Sequence, residues 1–540
     1  MNRLAVLLAH RVRRDRVQLA LWIVGTAALA LMATTAVADT FGDRAERESI
    51  LRLTILAPAI LVFRGTPNGA GEGEFATFLI LAFLALLAGL MSTFLAVRHT
   101  RGDEEQGRAE LVEATPAGRT LPTAATVVHG VLANAVLGVA VALAFGLSGL
   151  PAEGSAVAGA AVAATGVAFF GVGLVAAQVF RTSRGANGFS VAVVLAAYLL
   201  RGLGDAMGES SEDGLTRTAA WPSRLSPIGW AQRAEPFAAN DLAPLLLSAG
   251  VAAALVALVF AFQSARDSGA SILPDAQGRA AAGPLLGSSL GLAWRLNAGA
   301  VLAWAVGAAV FGVLATTLSP LVDEIGSDAP AIVETLRRIA GETASFEEAF
   351  VTTFFTMVGI LAAAAGLQAV MRARLEEAHG TAEPVLATPV SREGWLAGYA
   401  VVAAIAVVAV VGLAGAGAVL GAASADDPGA TAELALRAAL AQLPAALVYL
   451  GAVLVLLVVA PRLTIPVGWA LLALGAFFGV FGELLGIPDW MHELSPFSHV
   501  PVPVGGEVDW TGGSWMLAIA AGLVAASVVG MRRRELVTEG

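Results

Sequence analysis

Charge is scarce in this chain, and where it gathers it does so twice in the same order. Residues 103–119 read "DEEQGRAELVEATPAGR" and residues 376–392 read "EEAHGTAEPVLATPVSR". At a constant offset of 273 positions, Gly107 falls on Gly380, Glu110 on Glu383, Thr115-Pro116 on Thr388-Pro389 and Arg119 on Arg392. Carboxylates, a glycine and a Thr-Pro step hold no nucleophile with its base and no soft metal donors, so covalent catalysis is not their chemistry. Their chemistry is recognition. The spacing predicts a short helix over 103–113, with Glu104 and Arg108 at the favourable i,i+4 separation and Pro116 ending the element. Such a helix on a tight turn presents its acids outward. A solvated loop that only fixes topology would need arginines, and would not need glutamates, a glycine and Thr-Pro at matched offsets.

Other reactive residue types are sparse. Arg201/Asp205 and Glu433/Arg437 are i,i+4 pairs in or beside apolar runs, where ionisable groups are functional candidates by default. An intrahelical pair near a span end is the plainer reading of each. His129 and Asn134 fall in one apolar run, and Glu483 in another. His492 and His499 flank "ELSPFS" (493–498), but no further donors complete a metal set there. No Ser-His-Asp or paired-carboxylate arrangement can be argued, and no metal or cofactor site is read in this chain. Phenylalanines at 169/170, 354/355 and 477/478/481 are candidates to line an apolar path, core packing being the simpler reading.

Composition says what must position these groups. The 540 residues are 57% hydrophobic and 14% charged, well below the quarter usual in soluble domains. Apolar runs of about 20 residues, the length that crosses a ~30 Å hydrocarbon core, recur along the chain. The spans expected are Val17–Ala38, 75–97, 123–150, 155–180, 187–203 and 241–265, then 296–318, 349–371, 396–424, 431–460, 464–484 and 514–531. That is an all-α polytopic membrane protein of about twelve transmembrane helices. Residues 1–16, with five arginines among leucines, read as an interfacial amphipathic helix ahead of the first span. "TAVAD" (35–39) resembles a signal-peptidase site, but "LAWRLNAGAVLAWAVGAA" (292–309) echoes residues 8–27 in mid-chain, and an uncleaved first span is expected.

Landmarks besides the two charged cassettes recur in order. "LSPIGW" (225–230) precedes the sixth span and "LSPFSH" (494–499) the twelfth; "ARD" (265–267) and "RRE" (533–535) follow them. Two tandem six-helix halves are expected, 1–265 and 291–540, joined by a linker over 266–290. Arginines concentrate at the N-terminus, in 98–119, 266–295 and 372–392, and in the C-terminal tail, which makes that side cytoplasmic and puts both termini there, in the cell membrane. The lipid bilayer is then a partner, and nucleic acid is not.

Lysine and cysteine are both absent. Without lysine the chain cannot build a Walker-type phosphate loop or a Schiff base, and without cysteine it has neither disulfide nor thiolate site. Any nucleotide-driven work therefore needs a second protein.

The later cassette resembles the loop between the second and third spans of type-2 ATP-binding-cassette export permeases, where a Glu-rich turn leads through Gly-Thr-x-Glu to Thr-Pro-x-x-Arg. Glu376, Glu377, Gly380, Thr381, Glu383, Thr388, Pro389 and Arg392 carry that pattern. Asp103, Glu104, Gly107, Glu110, Thr115, Pro116 and Arg119 carry it in the first copy, with Arg108 at the threonine position. The whole chain is similar to the actinobacterial polyketide-antibiotic (tetronasin-type) exporters. That resemblance implies a permease whose two cassettes couple to two copies of a cytoplasmic ATPase subunit, with ATP and Mg bound there. It implies export of a small apolar or amphiphilic compound, such as a drug, polyketide antibiotic or lipid. The competing expectation is a proton-coupled secondary multidrug transporter of the major facilitator type. It would need a coupling carboxylate deep in the bundle and a short basic loop between spans two and three, where this chain has an acidic cassette.

Overall fold

The structure is a computed structural model that describes residues 3–55, 58–115, 118, 120–265, 271–272, 281, 283–317, 346–425, 427–481, 488–501, 503–504 and 507–537. The chain divides into two compact units, Met1–Gln277 and Gly278–Gly540. Among the described residues, twelve helical segments are long and apolar enough to cross a membrane, six in each unit. The protein is all-α and polytopic.

In the first unit the spans lie in α1 (Arg3–Thr40), α4 (Glu72–Arg98), α7 (Thr120–Leu147), α8 (Ala152–Val179), α9 (Ser183–Ala206) and α11 (Ala243–Ala265). Short helices fill the connections: α2 (Arg44–Ile55), α3 (Pro58–Arg64), α5 (Arg101–Glu105), α6 (Arg108–Glu113) and α10 (Pro227–Gln232). A small antiparallel pair, β1 (Glu209–Ser210) with β2 (Arg217–Thr218), follows α9. Two-thirds of the apolar window of α4 and of α8 is buried, against about a fifth for α1 and α11. The first pair therefore forms the centre of this unit, and the second pair leaves apolar surface for lipid. Residues 3–16 are helical and lead without a break into the first span as the first turns of one 38-residue helix, because neither Pro nor Gly interrupts residues 3–24.

In the second unit the spans lie in α12 (Ser289–Thr317), α13 (Phe346–Ala378), α15 (Arg392–Ala422), α16 (Pro428–Ala441) with α17 (Leu443–Val459), α18 (Thr464–Phe481) and α20 (Thr511–Met531). The short α14 (Glu383–Leu386) and α19 (Asp489–His492) lie in connections, and β3 (Pro503–Val504) pairs with β4 (Glu507–Val508). The tenth span breaks between α16 and α17, where Pro444 removes a backbone donor and its ring displaces the preceding turn. Helices α12 and α15 meet backbone to backbone. A Cβ placed on Gly417 would lie 2.0 Å from the Ala309 carbonyl oxygen, and one on Gly312 would lie 1.9 Å from that of Ala414. Small residues give this approach in a lipid solvent, where burial of apolar surface no longer drives helix pairing. Gly417→Ala is therefore expected to cost at least about 1–3 kcal/mol through overpacking. Gly412, with open space at its Cβ, should accept alanine without loss. Thermal unfolding of the two detergent-solubilised variants separates them.

The second sequence landmark is also a structural one. Ser226 opens α10 with its hydroxyl accepting from Ile228 N–H (3.2 Å), and Ser495 accepts from Phe497 N–H (3.1 Å). Each is a buried Ser followed by Pro, the serine capping a turn that the proline's fixed φ begins. Most of the linker, residues 318–345 and Glu483 lie outside the described residues.

Candidate coupling interface

Each cassette grows from the end of its unit's second span. In the first unit α4 ends at Arg98, α5 makes one turn, Gly107 reverses the chain at φ +69° and α6 follows. In the second unit α13 runs through Glu376 and Glu377, Gly380 reverses the chain at φ +71° and α14 follows. The left-handed conformation favours glycine at both positions. A Cβ at either glycine would meet nothing within 4 Å, so backbone geometry rather than packing selects the residue. Three hydrogen bonds recur at matched positions. Gly107 N–H donates to Glu104 and Gly380 N–H to Glu377, both at 3.1 Å. Ala114 N–H donates to Glu110 and Ala387 N–H to Glu383, both at 2.9 Å. Thr115 Oγ1 donates to the Val112 carbonyl and Thr388 Oγ1 to that of Val385, both at 2.6 Å.

Two expectations need correction. Residues 103–113 are not one helix, because Gly107 divides them. With the turn between them, Glu104 and Arg108 do not pair in the way the i,i+4 spacing suggests. Glu104 accepts from Arg101 (2.6 Å), while Arg108 reaches Asp103 (2.9 Å), which also pairs with Arg14 of α1 (2.7 Å). Nor do all the acids face outward. Glu376 and Glu377 are buried. Glu377 pairs with Arg534 and accepts from Val537 N–H at 2.7 Å, so it anchors the C-terminal tail. Burial lowers the pKa of Arg534, and the Glu377 charge opposes that shift. Arg392 donates to the Arg534 carbonyl (2.5 Å). The positions exposed in both copies are Gln106/His379, Glu110/Glu383, Leu111/Pro384, Ala114/Ala387, Thr115/Thr388 and Gly118/Ser391. Pro389 and Arg392 are also exposed; Pro116 and Arg119 lie outside the described residues.

The two intramembrane pairs differ in kind. Arg201 and Asp205 are fully buried and 3.0 Å apart. Arg201 also donates to the Val62 carbonyl at 2.8 Å, lies near those of Leu61 and Phe63, and stacks over Tyr198 at 4.4 Å. It therefore ties α9 to the C-terminal turn of α3, whose carbonyls have no partner within their own helix. Glu433 and Arg437 pair on an exposed face of α16. Of the aromatic candidates, Phe169, Phe170 and Phe355 are buried in helix packing.

In a further cluster only one member stands out in the sequence. His129 of α7, His99 at the end of α4 and Asp15 of α1 meet in the first unit. Separations of 84 and 114 residues hide this meeting from the sequence; the only signal is an ionisable residue inside an apolar run.

Twelve helices long and apolar enough to cross a membrane, six in each unit among the described residues, define a multi-pass membrane protein. A family model described as "Multidrug efflux system permease Rv1217c, C-terminal domain" matches residues 4–262 and 286–532. The multidrug efflux system permease protein Rv1217c of Mycobacterium tuberculosis (strain ATCC 25618 / H37Rv) is 33% identical over 533 residues, covering 98% of this chain and 94% of that protein. The chain belongs to this multidrug efflux permease family.

Proposed function

We propose that this permease is the membrane subunit of a type-2 ATP-binding-cassette exporter, of the tetronasin-type branch, moving apolar or amphiphilic compounds out of the cell. Two copies of a separate cytoplasmic ATPase, carrying the ATP and Mg, seat on the two cassettes. The observation that carries this reading is the matched presentation of Glu110/Glu383, Ala114/Ala387 and Thr115/Thr388 on turns of the same hydrogen-bond pattern. One surface offered twice suits one kind of partner taken twice. The absence of lysine supports it, since the phosphate-binding loop must then come from another chain. The efflux system named for the relative supports a drug-like cargo. Both cassettes, and both termini, face the cytoplasm in this reading, and the two six-span halves, 1–265 and 291–540, lie in the cell membrane on either side of a linker over 266–290.

The test reconstitutes the chain in vesicles with and without a candidate ATPase subunit that carries a Walker-type phosphate loop. Uptake of a fluorescent cationic dye into inverted vesicles should require both ATPase and ATP and persist when the proton gradient is dissipated. Transport without the ATPase that collapses with the proton gradient would replace this reading by proton-coupled exchange.

A further inference from the structure

Asp15, His99 and His129 come from three different helices and bring one donor atom each within 4.8 Å of one another. Both imidazoles aim Nε2 at the same carboxylate oxygen, Asp15 Oδ2; His129 Nε2 lies 2.9 Å from it and His99 Nε2 is in direct contact. The three side chains are 0–3% exposed. Arg98 Nε stands 3.1 Å from the other oxygen, Asp15 Oδ1. On its far side His99 turns Nδ1 towards Asp103 Oδ2 at 3.9 Å, and this buried nitrogen has no hydrogen-bond partner among the described residues.

We propose that these residues form a binding site for a borderline divalent transition ion of the Zn2+ class. Two imidazole nitrogens and one carboxylate oxygen are its donors, and they disfavour the hard ions Mg2+ and Ca2+, which take oxygen ligands. In a tetrahedral site with bonds of about 2.0–2.1 Å the donors stand about 3.3 Å apart, so both imidazoles would swing slightly away from Asp15 Oδ2 to admit the ion. The surroundings supply the outer shell such sites need: Asp103 stands ready to accept from the second nitrogen of His99, and Arg98 steadies the second oxygen of Asp15. With the ion on Nε2, a neutral imidazole ligand carries its proton on Nδ1 in exchange. For His99 the exchange gives the unpartnered Nδ1 an acceptor in Asp103.

His99, with Arg11, Arg14 and Asp103, lines a cavity of about 250 Å³ that Asp15 and His129 do not line, so the ion would enter past the His99 ring, with water as its fourth ligand. The neighbouring arginines already offset the two carboxylates, so the ion's charge is not fully compensated and a chelator should empty the site readily. The second unit lacks the site. At the 273-residue offset Arg372 replaces His99 and Val402 replaces His129, and Arg372 sits 3.8 Å from Glu376, the counterpart of Asp103. A fixed cation stands there where the first unit has a ligand. The ion would pin α1 and α7 to the base of the first cassette alone. This inference holds whether or not an ATPase docks there.

The experiment uses the full chain in detergent, stripped with chelator and dialysed against Zn2+ alone, with bound metal counted by mass spectrometry. Wild type should hold a single ion per chain. His99→Asn and His129→Asn keep a donor for Asp15 but remove a ligand, and should each bind at least about tenfold more weakly. Asp103→Asn should weaken binding roughly 10- to 100-fold while leaving the stoichiometry unchanged. Replacing His492 and His499 should change nothing. The Co2+ form of wild type should absorb as a tetrahedral complex. Wild type that retains no ion, or binding that survives both histidine substitutions, overturns the proposal. Should those variants fail to fold, an octahedral Co2+ spectrum in wild type, or unchanged affinity in Asp103→Asn, overturns it equally.

Discussion

Arg201→Ala should be the most damaging single substitution in the first unit, lowering stability by about 3–5 kcal/mol. Arg201 and Asp205 have no side-chain exposure, so removing the guanidinium strands a carboxylate in a helix bundle with no water to screen it. It also removes the donor to the Val62 carbonyl, which Arg201 reaches at 2.8 Å, while Leu61 still accepts from Gly65 N–H (2.9 Å) and Phe63 from the Tyr198 hydroxyl. Asp205→Asn should cost much less, because an amide oxygen still accepts from Arg201 and the arginine keeps its carbonyls. The double variant Arg201→Leu/Asp205→Leu discriminates further. If the ion pair were all that mattered, apolar replacement would be nearly neutral. With the Val62 carbonyl also deprived of its donor, it should recover only part of the loss seen in Arg201→Ala. Thermal unfolding of the three variants, read with the fraction that elutes monodisperse, checks the order. Equal losses in Arg201→Ala and Asp205→Asn would refute the clamp.

Arg201 also illustrates what a sequence exposes. Its i,i+4 spacing to Asp205 is visible there, as is the oddity of charge beside an apolar run. Its carbonyl partners are not, because they lie 138–140 residues earlier and carry no side-chain signature. The twelve spans are legible because partition into lipid depends on composition over about 20 residues, which tertiary context does not alter. The cassettes are legible because identical residues at one offset need no structural theory. Their partners are less so. The residue pattern puts Gly107 inside a helix, yet its positive φ re-aims every side chain after it, so Arg108 finds Asp103 instead of Glu104. Glu377 reads as an exposed acid beside its twin Glu376. Only the return of the C-terminal tail, 157 residues on at Arg534, makes it an anchor. The Asp15–His99–His129 meeting requires three helices to be packed first.

That difference between anchoring and presented acids sets the second prediction, which rests on the proposed ATPase partner. Charge reversal at Glu110 and Glu383 together should abolish ATP-driven export while leaving expression, membrane insertion and thermal stability at wild-type levels. Both carboxylates are exposed, and the hydrogen bonds these residues accept within their turns go to backbone carbonyls that reversal leaves in place, so the fold has little stake in the side chains. A docked groove complementary to an acid meets a like charge after reversal. A loss of about 2–5 kcal/mol at each contact corresponds to a drop of at least roughly 30-fold in affinity for the ATPase. Either single reversal should leave one intact grip and an intermediate phenotype, since both cassettes present the same surface. Glu377→Arg should behave in the opposite way, placing a cation against Arg534 and Arg374 and releasing the tail. Its export falls because the second unit is destabilised, and its unfolding temperature falls with it. Co-purification of the ATPase and thermal unfolding, measured on the same preparations, separate the two behaviours. Export at the wild-type rate from the Glu110→Arg/Glu383→Arg protein would remove the coupling role from these cassettes, whatever their resemblance to each other.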